Sequence, residues 1–155
     1  MSGGLSLSRA GPDDATAVRA LTRAAYAKWV PLIGREPLPM KADHDRAVRD
    51  HIVTLCEDDN RLVALIELVP AEDHLLIENL AVEPSQQGRG LGKHLLAHAE
   101  DVARSLGLPQ VRLYTNAAFG SNLSFYGRRG YVEFRRATMV ARSITVFMRK
   151  EIAPS

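Results

Sequence analysis

The 155-residue sequence predicts an α/β protein of the α+β type, a mixed central sheet flanked by helices. Three observations lead there. Strand-like segments at residues 53–57, 61–69 and 75–82 are separated only by the turn formers Asp58-Asp59-Asn60 and Pro70-Ala71-Glu72-Asp73, so hairpins join them. Leu91, Leu95, Ala99, Val102 and Leu106 recur at three- and four-residue spacing, which marks an amphipathic helix. Strands joined through helices then follow the hairpin-joined ones, which implies a mixed sheet.

The elements read in order as follows. Residues 5–9 alternate apolar and polar, a short strand. Gly11-Pro12-Asp13-Asp14 signals a turn and a helix start, and Ala17, Val18, Leu21, Ala24 and Ala25 continue that helix to about Lys28 or Trp29. Residues 30–40 hold three prolines and a glycine, so they predict a loop with at most a short helical turn. A second helix is expected over 42–52, then the three hairpin-joined strands, with 61–69 central. The helix at 90–106 ends before Gly107, a fitting stop. A strand at 111–115, a helix at 121–129 closed by Gly130, and a hairpin of 131–138 with 144–150 complete the chain. The order is β-α-α-β-β-β-α-β-α-β-β. No repeat or linker interrupts it, so residues 1–155 are expected to form one domain.

Composition excludes several classes. The chain is 46% hydrophobic and 25% charged, with net charge +2, unlike a disordered chain. Acids and bases interleave, and no long basic run suggests nucleic acid. The densest basic cluster, Arg128, Arg129, Arg135 and Arg136, suits an anionic cofactor as well as a phosphate backbone. No stretch reaches the roughly 18 apolar residues of a membrane span, and the first residues lack a signal-peptide pattern, so a cytoplasmic protein is expected. The single cysteine, Cys56, falls in a strand and reads as a buried structural thiol. His94 and His98 lie four apart on one helix, but no third ligand is evident, so no metal is expected.

The most informative stretch is Val82-Glu-Pro-Ser-Gln-Gln-Gly-Arg-Gly-Leu-Gly-Lys93, a strand end, a glycine-rich turn and a helix start. Free N–H groups at a helix start suit a phosphate, and glycines let the backbone approach it. The phosphate-binding loop of nucleotide hydrolases would need glycine where Gln87 stands and Ser or Thr where His94 stands. The dinucleotide fingerprint would need glycine at Lys93.

Gln87, Gly90 and Gly92 do fit Gln/Arg-x-x-Gly-x-Gly/Ala. Asn122-Leu-Ser-Phe-Tyr126-Gly-Arg-Arg-Gly130-Tyr131 is similar to Asn-x-x-Leu-Tyr-x-x-x-Gly-Phe. On these two segments the chain resembles the GNAT superfamily of N-acetyltransferases. The resemblance implies the GNAT acyltransferase fold, acetyl-CoA as co-substrate, and an amine of a small molecule or peptide as acceptor. It also implies roles. The backbone of Gln87, Gly88, Arg89, Gly90, Leu91, Gly92 and Lys93 would hold the pyrophosphate. That of Leu80, Ala81 and Val82 would pair with the pantetheine arm. Tyr126 would protonate the departing thiolate, and Asn122, four residues earlier, would bind the cofactor or cap the helix. Glu78, two residues from Leu80 and so expected on its face, would be the base, or would orient the substrate or pair with an arginine. Tyr26, Trp29, Ile33, Arg35, Glu36 and Met40 fall where the family builds its acceptor pocket. Family members often form homodimers. Two alternatives remain open at this level: a non-catalytic acetyl-CoA-binding module, and a transferase of another acyl-CoA.

Overall fold

The computed structural model describes residues 4–138 and 143–154. Among these, seven strands form one sheet: β1 (Leu5–Arg9), β2 (Ile52–Asp58), β3 (Arg61–Pro70), β4 (Leu75–Val82), β5 (Gln110–Asn116), β6 (Val132–Thr138) and β7 (Ile144–Glu151). Their order is β1-β2-β3-β4-β5-β7-β6. Neighbours run antiparallel except β4 and β5, which are parallel. Asp59 and Asn60 both take positive φ (50° and 70°) in the β2–β3 turn, a geometry that asparagine and aspartate tolerate and tight hairpins require.

The helices are α1 (Ala15–Tyr26), α2 (Val30–Ile33), α3 (Leu38–Lys41), α4 (His44–Asp50), α5 (Leu91–Ser105) and α6 (Gly120–Gly127). The 30–40 segment expected as loop thus forms two single turns separated by Gly34, which ends α2 at φ 74°. The expected second helix is shorter than residues 42–52. Asp43 starts it, its carboxylate accepting from the Arg46 N–H at 3.0 Å, and Ile52 already belongs to β2.

Helices cover both faces of the sheet. Leu91, Leu95, Leu96, Ala99 and Ala103 of α5 pack with Ala64, Ile66, Leu68, Leu75, Ile77, Val111 and Leu113. Val18, Leu21 and Ala25 of α1 and Ala47 and Val48 of α4 pack with Val53, Leu55, Leu65 and Ala81 on the opposite face. Cys56 is fully buried beneath α5, and that burial raises its thiol pKa, which leaves it inert at neutral pH.

One irregularity positions the functional region. Asn79 lies opposite Glu67 and Ile77 opposite Leu68, so Glu78 is the extra residue of a β-bulge in β4. The bulge reverses the alternation that places Glu78 and Leu80 on one face. Leu75 and Ile77 face α5, Glu78 and Asn79 both face α1, and Leu80 faces α5 again. Beside the same bulge the β4–β5 ladder stops. It runs from Leu75↔Val111 to Ile77↔Leu113 and no further, so the edge of β4 facing β5 is unpaired from Glu78 onward.

His44 is fully buried on the α1 side. Its Nε2 lies 3.1 Å from the Pro39 carbonyl oxygen, which can only accept, so Nε2 carries the proton and Nδ1 is the buried lone-pair nitrogen, without a partner among the described residues. Desolvation lowers the His44 pKa below its ordinary 6.5. The unfolded chain therefore binds a proton below pH 6.5 that the folded chain refuses, and stability falls as pH drops through this window. His98, lowered by the same cause, adds in the same direction. Between pH 7.5 and 5.5 the urea midpoint of the wild type should fall, and His44→Gln should flatten that decline. An equal slope in the variant would contradict the assignment.

Candidate active site

The glycine-rich turn leads from β4 into α5. Gly88 and Gly90 take φ values of 89° and 81°, in the left-handed region that other residues occupy at a cost. The first helical hydrogen bond of α5 runs from His94 N–H to the Gly90 carbonyl. The N–H groups of Gly88 to Lys93 consequently donate to no protein acceptor among the described residues. Six consecutive free donors at the positive end of a 15-residue helix make a cradle for a diphosphate-like anion. A Cβ built on Gly90 meets nothing within 4 Å, so the cradle is open to solvent there. One on Gly92 would lie 3.2 Å from Phe125, so that glycine serves packing of α5 on α6.

Two cavities meet beside this turn. The first, about 440 Å³, is lined by Gln87, Gly88, Gly90, Leu91, Gly92 and Lys93, by Leu80 and Val82 of β4, and by Lys28, Trp29, Phe125 and Arg129. The second, about 350 Å³, lies beneath the 33–39 segment and is lined by Ile33, Arg35, Pro37, Leu38, Glu78, Tyr114, Phe119 and Phe147. Tyr26, Asn122 and Tyr126 line both. The junction falls at the splay of β4 and β5.

The groups at the junction are poised for proton chemistry. Tyr126 is buried, and desolvation raises its pKa, so it stays a neutral phenol that can donate. Tyr26 donates to the Leu80 carbonyl at 3.3 Å, and burial lifts its pKa to about 12. Tyr114 donates to Glu78 Oε1 at 2.6 Å, and its own pKa is raised by burial and by that carboxylate. Glu78 therefore has one oxygen fixed and the other left to act in the cavity. The 33–40 roof is fastened to α1 by Arg23, which pairs with Glu36 at 2.6 Å and donates to the Met40 carbonyl at 2.9 Å.

Most residues singled out in the sequence gather here, with exceptions. Trp29 lines the first cavity rather than the second, stacked on Phe119 with ring centroids 4.2 Å apart. Met40 is buried and lines neither, and Glu36 is consumed by Arg23. The Arg89 side chain turns to Asp58 at 3.1 Å and so lends the cradle no direct charge. The Ala81 side chain is in the α1-side core, leaving only its backbone at the splay. Tyr114, Phe119, Phe147 and Phe125 were missed. Their signal is tertiary, because β5, α6 and β7 meet the roof only after folding. Arg129, noted only as part of a basic cluster, stacks over Phe125 at 4.1 Å in the first cavity.

Comparison with known proteins decides the family. A sequence model of the acetyltransferase (GNAT) family matches residues 17–131, which include the cradle, the bulged strand and Tyr126. The chain belongs to the GNAT acetyltransferase family. Among curated proteins, mycothiol acetyltransferase of Clavibacter michiganensis is 32% identical over 149 residues, covering 88% of this chain and 47% of that protein. The uncharacterized protein YxbD of Bacillus subtilis is 32% identical over 77 residues, covering 50% of this chain and 47% of its own length. The chain thus spans about half the length of the curated relatives it matches. Among solved GNAT folds, the ribosomal-protein-S18-alanine N-acetyltransferase of Escherichia coli superposes with TM-score 0.78 at 19% identity, over 97% of this chain and 96% of that one. The PaiA N-acetyltransferase of Thermoplasma acidophilum, solved with coenzyme A, gives 0.74 at 18% identity, over 97% and 99%. No helix among the described residues is long and apolar enough to cross a membrane.

Proposed function

We propose that this chain is a one-domain, cytoplasmic N-acetyltransferase that moves the acetyl group of acetyl-CoA directly to an amine. The observation that carries the reading is the junction: Tyr126 lines both the cavity with the anion cradle and the cavity with the carboxylate. A donor entering from one side and an acceptor from the other would meet at its hydroxyl.

The residues present fit the donor. The free N–H groups from Gly88 to Lys93 suit its diphosphate, and the unpaired edge of β4 at Leu80 to Val82 suits an extended amide-bearing arm. When bound, acetyl-CoA supplies the thioester carbon that the amine attacks. Glu78, steadied by Tyr114, holds the ammonium and takes its first proton, which leaves a nucleophilic amine. As the new C–N bond forms and the C–S bond breaks, the Tyr126 hydroxyl gives its proton to sulfur. The second proton lost by nitrogen restores the phenol. Cys56 is buried away from both cavities, so no covalent step passes through it.

Steady-state thiol release from acetyl-CoA over an amine panel, with the N-acetyl product identified by mass, tests the reading. Tight coenzyme A binding with no product on any amine would instead favour a binding module. Glu78→Gln should lower kcat/KM about 100-fold near neutral pH. The deficit should shrink as rising pH supplies free amine from solution. A pH-independent deficit would leave Glu78 only an orienting role.

A further inference from the structure

Arg35 is the one cation that lines the second cavity among the described residues. Its two visible partners are neutral. One NηH donates to Ser143 Oγ at 3.0 Å and the other to the Glu36 carbonyl at 3.4 Å. Its Nε–H is buried and finds no acceptor among the described residues. The adjacent carboxylate, Glu36, is turned away to Arg23. Arg35 thus forms no ion pair among the described residues, although it sits at the wall of a cavity lined by Ile33, Pro37, Leu38, Phe119 and Phe147. A partly buried guanidinium without an anionic partner is costly in isolation, and a planar oxyanion is the group that best matches it.

The opposite charge in this cavity is Glu78, on the β4 floor, while Arg35 comes from the 33–40 roof. The two do not pair with each other; Glu78 is held by Tyr114. Among the described residues the cavity therefore offers one anion, one cation and an apolar, aromatic lining. Its volume of about 350 Å³ suits a ligand of amino-acid size.

We propose that the acceptor is a small aminocarboxylic acid with an apolar body. Its ammonium group meets Glu78, its carboxylate meets Arg35, and its side chain lies against Phe119 and Phe147. This rests on the amine-acetylation reading above and names the substrate class for that same site. The chemistry is balanced as before: a C–N bond replaces the C–S bond, and the carboxylate takes no part in it.

The test uses matched acceptors: the amino acids Val, Leu, Met, Phe, Tyr and Trp, their decarboxylated amines, their carboxamides, and tripeptides beginning with each. Values of kcat/KM are compared between wild type and Arg35→Gln, so that each amine's own reactivity cancels. For the best amino acid, the ratio of its kcat/KM to that of its decarboxylated amine should fall about 10- to 100-fold in the variant, chiefly through KM. Arg35→Lys should recover part of the ratio. Coenzyme A affinity, measured on each variant, shows that the fold is retained. An unmoved ratio, with the decarboxylated amines acetylated, would overturn the carboxylate assignment and leave the acetyltransferase reading standing. Tripeptides outperforming the free amino acids would overturn the small-molecule assignment. No transfer to any acceptor by a protein that binds coenzyme A would overturn both.

Discussion

Tyr126→Phe should lower kcat about 100-fold or more while the affinity for acetyl-CoA stays within a fewfold. The hydroxyl is lost, but the ring that packs edge-on against Phe125 and Tyr131, at centroid distances of 5.1 and 5.9 Å, remains. The geometry of α6 and the cavity walls should therefore persist. A phenol whose pKa is raised by burial is a poor acid toward water. It can still give its proton to a thiolate leaving beside it, because the developing charge on sulfur gains from a hydrogen-bond donor at the junction. Rapid-quench measurement of the first turnover isolates this step from product release. An unchanged chemical rate would remove Tyr126 as the proton donor, and a large rise in the coenzyme A Kd would show that its role is binding.

Gly90→Val should weaken coenzyme A binding at least 100-fold, with two causes that act together. At φ 81° a β-branched residue is strained by about 1–2 kcal/mol or more, so the turn will shift and misalign the free N–H groups. The added side chain also projects into open space at the mouth of the cradle, where the ligand's phosphates would lie. Calorimetric titration reads the affinity, and thermal unfolding separates it from loss of fold. Gly107 provides a control. It too has positive φ, at 71°, but lies beyond α5 and away from both cavities. Gly107→Ala should cost stability without touching coenzyme A affinity. An unchanged Kd in Gly90→Val would sink the cradle assignment.

The fold was largely legible because its signals are local. The limits of β4 follow from a run bounded by Asp73-His74 and Glu83-Pro84, and α5 from one apolar stripe closed by Gly107. The cradle was legible for the same reason, since its glycines are contiguous in sequence. What sequence misjudged depends on registers between strands. A period-two rule puts Glu78 beside Leu80, and only the pairing of β4 with β3 reveals the bulge that sends them to different cavities. The aromatic wall was invisible because Tyr114, Phe119 and Phe147 come from three separated parts of the chain: β5, the residue before α6, and β7. Met40 and Glu36 looked like pocket residues because they share a loop with Arg35. Arg23 of α1 claims the Glu36 carboxylate and the Met40 carbonyl, which no pattern in the loop itself could announce.

The central claim is that an acetyl group crosses from the cradle-bearing cavity to an amine in the cavity beside it, past Tyr126. It is tested most directly by mixing the protein with acetyl-labelled acetyl-CoA, first alone and then with the amine panel, and locating the label by mass spectrometry. The label should reach the amine nitrogen at the rate at which thiol appears, with no acetyl adduct on the protein at any time. Tight binding of the donor with no label on any amine, or an acetylated Cys56 that forms and decays during turnover, would contradict it.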